Sequence, residues 1–342
     1  MFAVYFARHG GPEVLTAGEI PDPHVGRDEV VVEVKAASVN HLDLFVRRGI
    51  PGLELTLPHV PGSDAAGVVV EVGSEVTTVR VGDRVVVDPG VSCGACSFCR
   101  DGEPSLCPRY RIMGEHFQGS YAQFVKVPAA GAVPMPAGLT FAEAASLPLT
   151  LLTAWRMLIR RGRVAPGEDV LILGAGSGVG VMAVQLARLA GARVFATAST
   201  PEKRARAKEI GADIVLDPGA EPVERAIRKL TGKRGVDVVV DYVGRDTWVS
   251  SLKCLRNGGR LLTCGATTGH DPTEDLRHIF YRQLVVIGST MGSRNDLEAG
   301  LKAVEQGKVK PVVFAELPLT EAAEAHRLLE TRKVFGKVVL VP

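Results

Sequence analysis

The sequence predicts a two-domain α/β protein in which a partly open antiparallel β-barrel precedes a doubly wound parallel sheet. Residues 1 to about 130 read as short β-rich runs with Gly or Pro in every gap. From Asp169 the chain alternates six apolar strands with helices. At the first of those junctions, DVLILGAGSGVGVMAVQLARLAG (169–191) joins a buried strand to a helix through a glycine turn. A length of 342 residues accommodates two such domains with a large core.

In the first domain the strand candidates are 30–39, 65–72, 83–87 and 120–127, with no long amphipathic helix among them. The pattern changes near residue 138. Thr140 and Glu143 have capping-box spacing, and the apolar residues through Met157 suggest packed helices. The second domain reads as strands 170–174, 193–198, 213–216, 236–243, 259–265 and 284–289. Helices to about 190 and over 202–209, 221–231 and 246–255 lie between them. After residue 291 a helix, a Pro-rich turn, a helix near 321–331 and the strand GKVVLV are expected to return to the first domain. The expected boundaries are therefore 1–150, 151–290 and 291–342.

Composition excludes several classes. A net charge of +2 gives no reason to expect nucleic-acid binding. No run approaches the roughly 18 apolar residues of a membrane span. The first residues lack the charged start and apolar core of a secretory signal, so a reducing, cytoplasmic setting is expected.

The glycine turn itself is Ala175-Gly176-Ser177-Gly178-Val179-Gly180. Backbone N–H groups at the start of the following helix face a pyrophosphate in such a unit, and small residues admit its close approach. Ala175 and Ser177 stand where the strict G-x-G-x-x-G spacing has glycines, so the strand–turn–helix context carries the assignment. Four of the six cysteines form CGACSFCRDGEPSLC, with Cys93, Cys96, Cys99 and Cys107 as donors. Four thiolates on one short loop can close a tetrahedron around zinc and leave no open position, which makes the site structural. The first three also echo iron–sulfur spacing, but the long last gap favours zinc.

These features together resemble the medium-chain dehydrogenase/reductase superfamily over nearly the whole chain. The resemblance implies a GroES-like barrel, a Rossmann domain and the zinc lobe at 92–108. GSDAAGVVVEVG (62–73) resembles the zinc alcohol dehydrogenase signature G-H-E-x2-G-x5-G, with Ser63 in place of the histidine ligand and Asp64 of the glutamate. SVNHLDLFVRRG (38–49) and LPLTLLTAW (147–155) resemble the segments bearing the two cysteine ligands, where Asn40 and Leu149 now stand. A substitute site built from His41, Asp43, His59 and Asp64 is the alternative. Gly176, Gly178, Gly180, Gln185 and Arg188 resemble the quinone oxidoreductase signature.

The resemblance implies a nicotinamide cofactor. Ala198 stands where NAD-binding relatives carry an acid, which removes repulsion against a 2′-phosphate; Ser199, Thr200, Lys203 and Arg204 could bind it. NADPH is favoured, with NADH possible. Gly265 and Ala266 lie in CGATTG (264–269), which resembles the loop lining the nicotinamide, and Asp241 reads as a structural hydrogen-bond partner. The expected reaction is reduction of a quinone or an α,β-unsaturated carbonyl without a catalytic zinc. Asn40 is the first candidate donor to the substrate oxygen, with His41 and Ser63 behind it. An alcohol dehydrogenase and a cofactor-binding protein with little catalysis are the alternatives. A small-molecule carbonyl or quinone is the expected partner. The chain is expected to form a homodimer or homotetramer, pairing through the apolar last strand of the dinucleotide domain (284–289).

Overall fold

Strand Glu29–Ser38, rich in β-branched valine, organises the first domain by pairing along both edges. One edge carries Asp64–Val72, antiparallel, with Val30 opposite Val72 and Ser38 opposite Asp64. The other edge carries Phe124–Pro128 at its start and Lys337–Val341 at its end. Register shifts between Val31 and Val32 and between Val34 and Ala36 bend the strand. Arg84–Val87, Ala132–Pro134 and Val313–Pro318 complete a seven-stranded barrel-like sheet. Val32, Val34, Val69, Val85, Val125 and Leu340 fill its interior. Gly67 is required there, since a Cβ would sit 2.0 Å from the Glu33 carbonyl oxygen.

The second domain is a six-stranded, all-parallel sheet. Its spatial order is Ile214–Leu216, Arg193–Thr197, Asp169–Ile172, Val236–Val240, Leu255–Thr263 and Val285–Gly288. In chain order this is 3-2-1-4-5-6, a doubly wound Rossmann sheet whose connections reverse beside its first strand. Leu171, Phe195, Val239 and Leu261 are fully buried in its core, as parallel strands covered on both faces require. This computed structural model describes residues 1–342. Residues 1–152, 292–306 and 311–342 form one unit, and residues 153–291 and 307–310 the other.

The elements differ from the sequence expectations mainly at their ends. Strand 236–243 stops at Val240, because Asp241 turns its carboxylate back onto the N–H groups of Val243 and Gly244. The next strand begins at Leu255, earlier than the expected 259. Helix His41–Arg48 was not expected among the barrel strands; two turns are too short to show periodicity clearly. The Thr140–Glu143 capping box is present, with both reciprocal bonds made.

Candidate active site

Antiparallel register builds the polar centre of the barrel domain. Asp64 begins its strand opposite Ser38, and Val339 of the strand Lys337–Val341 also lies opposite Ser38. Asn40 follows two residues later in extended conformation and caps helix His41–Arg48, which buries Leu44 and Val46 and ends at Gly49 with φ +96°. Three other segments distant in the chain therefore converge on the Asp64 carboxylate. Asp64 Oδ2 accepts from Ser38 Oγ at 2.8 Å, Asn40 Nδ2 at 2.8 Å and Lys337 Nζ at 3.1 Å. Its Oδ1 accepts from the backbone N–H of Leu149 at 2.7 Å. Lys337 Nζ also donates to Asn40 Oδ1. Asp64 is fully buried and Lys337 is 3% exposed, so this is a buried ion pair whose remaining valences are satisfied.

The expected donors therefore stand differently from one another. The Asn40 side chain is buried and its amide is committed to Asp64 and Lys337, which corrects its reading as a donor free to meet substrate. Ser63 is fully buried, and its hydroxyl has no hydrogen-bond partner. His41 is half-buried. Burial, then the positive charges of Lys337, Arg332 and Arg48, push its pKa down to about 4. It is a neutral imidazole at pH 7 and not a stored proton. The alternative metal cluster does not assemble: His59 Nε2 pairs with the Gly114 carbonyl at 3.0 Å, and Asp64 holds Lys337.

A buried polar chain leads away from this loop. Asp43 Oδ2 accepts from the Asn40 backbone N–H at 2.7 Å and from the Tyr121 hydroxyl at 3.3 Å. Tyr121 lies 3.1 Å from His326 Nε2, and His326 Nδ1 lies 2.8 Å from Arg47, which pairs with Glu330. Burial lifts the Asp43 carboxyl to about 7 and drives His326 down to about 3. Asp43 Oδ1 has no partner, so a buried unsatisfied oxygen lies on this side of the site as well as the Ser63 hydroxyl.

In the second domain the glycine turn follows strand Asp169–Ile172. Gly174 adopts φ +64°, and Ser177 caps helix Gly178–Leu189 by accepting from the Gly180 N–H at 2.9 Å. The Ser177 hydroxyl donates to Tyr242 Oη at 3.0 Å, and Tyr242 donates to the Gly174 carbonyl at 2.9 Å. A Cβ on Gly180 would lie 2.5 Å from the Gly174 oxygen and 2.6 Å from that hydroxyl. First-turn N–H groups, here those of Gly178 and Val179, have no intrahelical acceptor, which suits a pyrophosphate. Gln185 clamps both backbone groups of Lys310, and Arg188 pairs with Asp213 at 2.7 Å. Both are structural.

At the end of the next strand, Ala198 carries no acid, and Thr200 caps the helix Pro201–Glu209 by accepting from the Lys203 N–H. Ser199 is exposed and Lys203 half-buried. Arg204 pairs with Asp217 at 2.8 Å, which corrects its reading as a phosphate ligand at liberty. Asp241 accepts from Val243, Gly244, Thr247 and Ser251 and is structural. Loop 264–269, with Gly265 and Ala266, is stitched to residues 242–245 by Thr268 N–H to Val243 and Arg245 N–H to Gly269.

The four lobe cysteines do converge: their Sγ atoms all lie within 4.8 Å of one another. The Cys96–Cys99 and Cys93–Cys99 separations are 3.5 and 3.9 Å. A tetrahedron with Zn–S bonds of about 2.3 Å has edges of about 3.8 Å, so the donor set fits zinc. Backbone N–H groups of Ala95 and Cys96 point at Cys93 Sγ and favour its thiolate. No other group of three or more His, Cys, Asp and Glu side chains in the chain comes together as metal donors.

Comparison with known proteins agrees with this geometry. The family model for the alcohol dehydrogenase GroES-like domain matches residues 26–137, and that for the zinc-binding dehydrogenase domain matches residues 178–306. An NAD-dependent alcohol dehydrogenase of Saccharolobus solfataricus is 34% identical across the full length of both chains. The chain belongs to the zinc-containing alcohol dehydrogenase family. A crystal structure of an NAD-dependent alcohol dehydrogenase in this family superposes with a TM-score of 0.97 at 50% identity, covering all of both chains. Another relative is an acryloyl-coenzyme A reductase of Metallosphaera sedula, 31% identical over 94% of this chain and 95% of that one. As a member of this medium-chain dehydrogenase/reductase family, the protein is an NAD(P)-dependent oxidoreductase.

Within that family frame, reading the sequence missed Lys337, Tyr121, His326 and Tyr242. Lys337 had one available signal: a lysine opening an otherwise apolar strand, in GKVVLV. Tyr242 directly follows Asp241 at the end of its strand, a place where side chains reach the glycine turn.

Proposed function

We propose that this oxidoreductase reduces α,β-unsaturated carbonyl compounds at their C=C bond, or quinones to hydroquinones, without a catalytic zinc. The carrying observation is the buried Lys337–Asp64–Asn40 cluster at the positions that resemble the family's catalytic ligand segments. Asn40, Ser63 and Leu149 offer no thiolate or imidazole there, and Leu149 contributes a backbone N–H that is already bonded. An alcohol must be deprotonated to an alkoxide before it can be oxidised, and a metal normally supports that charge. A conjugated carbonyl spreads the incoming charge into an enolate, for which hydrogen-bond donors suffice.

A nicotinamide, when bound, would supply a hydride to the β-carbon of an enone or to a quinone. Gly176, Ser177, Gly178, Val179 and Gly180 would hold the pyrophosphate through backbone N–H groups, with Gly265 and Ala266 beside the nicotinamide. Ser199, Thr200 and Lys203 would hold a 2′-phosphate, and the missing acid at Ala198 favours NADPH over NADH. Neutral His41 is the donor to the developing enolate oxygen, a role that the N–H of an uncharged imidazole can fill. Water delivers the proton that the α-carbon takes up. Cys93, Cys96, Cys99 and Cys107 would hold one structural zinc. The Val285–Gly288 strand ends its sheet with Val285 and Val286 exposed, and it pairs with a second copy in a homodimer or homotetramer.

A second reading is favoured by the relatives named as alcohol dehydrogenases. One assay separates the two. Purified protein is given NADPH with a small enone, a quinone and an unsaturated acyl thioester, then NADP with simple alcohols, each before and after chelation. Enone or thioester reduction that survives chelation supports the proposal. Zinc-dependent alcohol oxidation as the faster activity overturns it.

A further inference from the structure

A basic cavity lies at the end of the parallel sheet away from the glycine turn. Its volume is about 380 Å³, and it is lined by Arg228, Lys233, Arg234, Arg256, Asn257 and Arg282. A second hollow of about 440 Å³ shares Arg228 and Lys233. Arg228 comes from helix Val223–Leu230, and Lys233 and Arg234 from the loop before strand Val236–Val240. Arg256 sits at the start of strand Leu255–Thr263, and Arg282 just before strand Val285–Gly288. Arg228 is near the end of its helix and the others lie at or just before strand starts, whereas the glycine turn follows a strand end. The length of a five-residue strand, about 16 Å, separates the two edges.

Cations outnumber carboxylates there, although Glu224 lines the second hollow and Glu274 lies near Arg282. Arg234 and Arg256 both pair with Asp237, and Arg234 also reaches Asp169, which itself holds Arg193. Arg228, Lys233 and Arg282 have no carboxylate partner. Arg228 reaches only the Lys233 carbonyl. Arg282 donates to the His278 and Leu255 carbonyls, while its Nη2 is buried without any acceptor. Burial, then the neighbouring charge of Arg228, work against the Arg282 cation, and the nearby Glu274 carboxylate offsets them only in part. An anion in the cavity would relieve both the repulsion and the orphaned donor.

We propose that this cavity is a binding site for a small polyanion of the phosphate class, separate from the dinucleotide site. The forked guanidinium groups suit tetrahedral phosphoryl oxygens, and the volume accommodates more than one phosphate unit.

The test is calorimetric titration of the full chain with inorganic pyrophosphate while NADPH is saturating, so that the glycine turn is occupied. One pyrophosphate per chain is expected, bound more weakly as salt rises. Arg228→Gln and Lys233→Gln, both on exposed residues, should each weaken it about threefold to fivefold. Arg282→Lys should also weaken it, and all three should leave NADPH affinity unchanged. ADP run in parallel identifies the source: tighter binding than pyrophosphate assigns a nucleotide, and equal binding a free anion. Absence of binding, binding indifferent to all three variants, or loss of binding when NADPH is present would overturn the proposal.

Discussion

Lys337 Nζ lies 3.1 Å from Asp64 Oδ2, and both residues are buried in the centre of the barrel domain. Removing one member of such a pair leaves the other charged and desolvated. Lys337→Met is expected to lower stability by about 3–5 kcal/mol in urea unfolding. Adding Asp64→Asn should recover part of that loss. Additive losses in the double variant would show that the two charges do not depend on each other.

The buried titrating groups of this domain predict a plateau in acid stability. His41 and His326, with folded values of about 4 and 3, contribute stability above pH 6.5 that is lost as pH falls towards those values. Asp43 and Asp88, lifted to about 7 and 6 by burial, act in the opposite sense. Their contribution is full below about 3.8 and is lost as pH rises. The two pairs cancel between about pH 4 and 6. Asp43→Asn removes one opposing group, so its stability should rise across that window by about 1.4 kcal/mol per pH unit. Urea midpoints at pH 4.5 and 5.5 that stay equal in the variant would refute this assignment.

Tyr242 bridges the glycine turn from below, through the Ser177 hydroxyl and the Gly174 carbonyl. Tyr242→Phe should cost about 1 kcal/mol of stability and also weaken NADPH binding, as followed by nucleotide fluorescence. An unchanged dissociation constant would mean that the Gly174 N–H to Thr197 Oγ1 bond holds the turn on its own.

At Ala198, Ala198→Asp places a carboxylate where the 2′-phosphate would sit. The kcat/KM for NADPH should fall by roughly tenfold or more while that for NADH holds or rises. Equal loss with both cofactors would speak against NADPH.

The lobe predicts one zinc per chain by elemental analysis. Cys107→Ser, at the buried member of the set, should release it and lower the melting temperature. A second tightly bound zinc in the native protein would instead point to a catalytic metal.

The parallel domain was the more legible half because its signals are local. Each apolar run from Val170 to Ser289 is bounded by turn residues, and the glycine turn marks the first crossover. That Asn40, Ser63 and Leu149 offer no thiolate or imidazole could also be read in sequence. The groups they meet could not. Lys337 and Asp64 are 273 residues apart, and only strand pairing on both edges of Glu29–Ser38 brings them together. Nor does any pattern around Asn40 show that its amide is already committed. Asp43, Tyr121 and His326 likewise meet through tertiary packing, from three separate elements.

That separation has a consequence for how the protein is made. At about 5–20 residues per second, a ribosome adds the 273 residues between Asp64 and Lys337 in roughly 15–55 s. The whole of residues 153–291 is synthesised within that interval. Asp64 therefore has no lysine partner until residues 153–291 have been made. Completion of the barrel sheet is a late event in biogenesis, because its strands Val313–Pro318 and Lys337–Val341 are the last to be made.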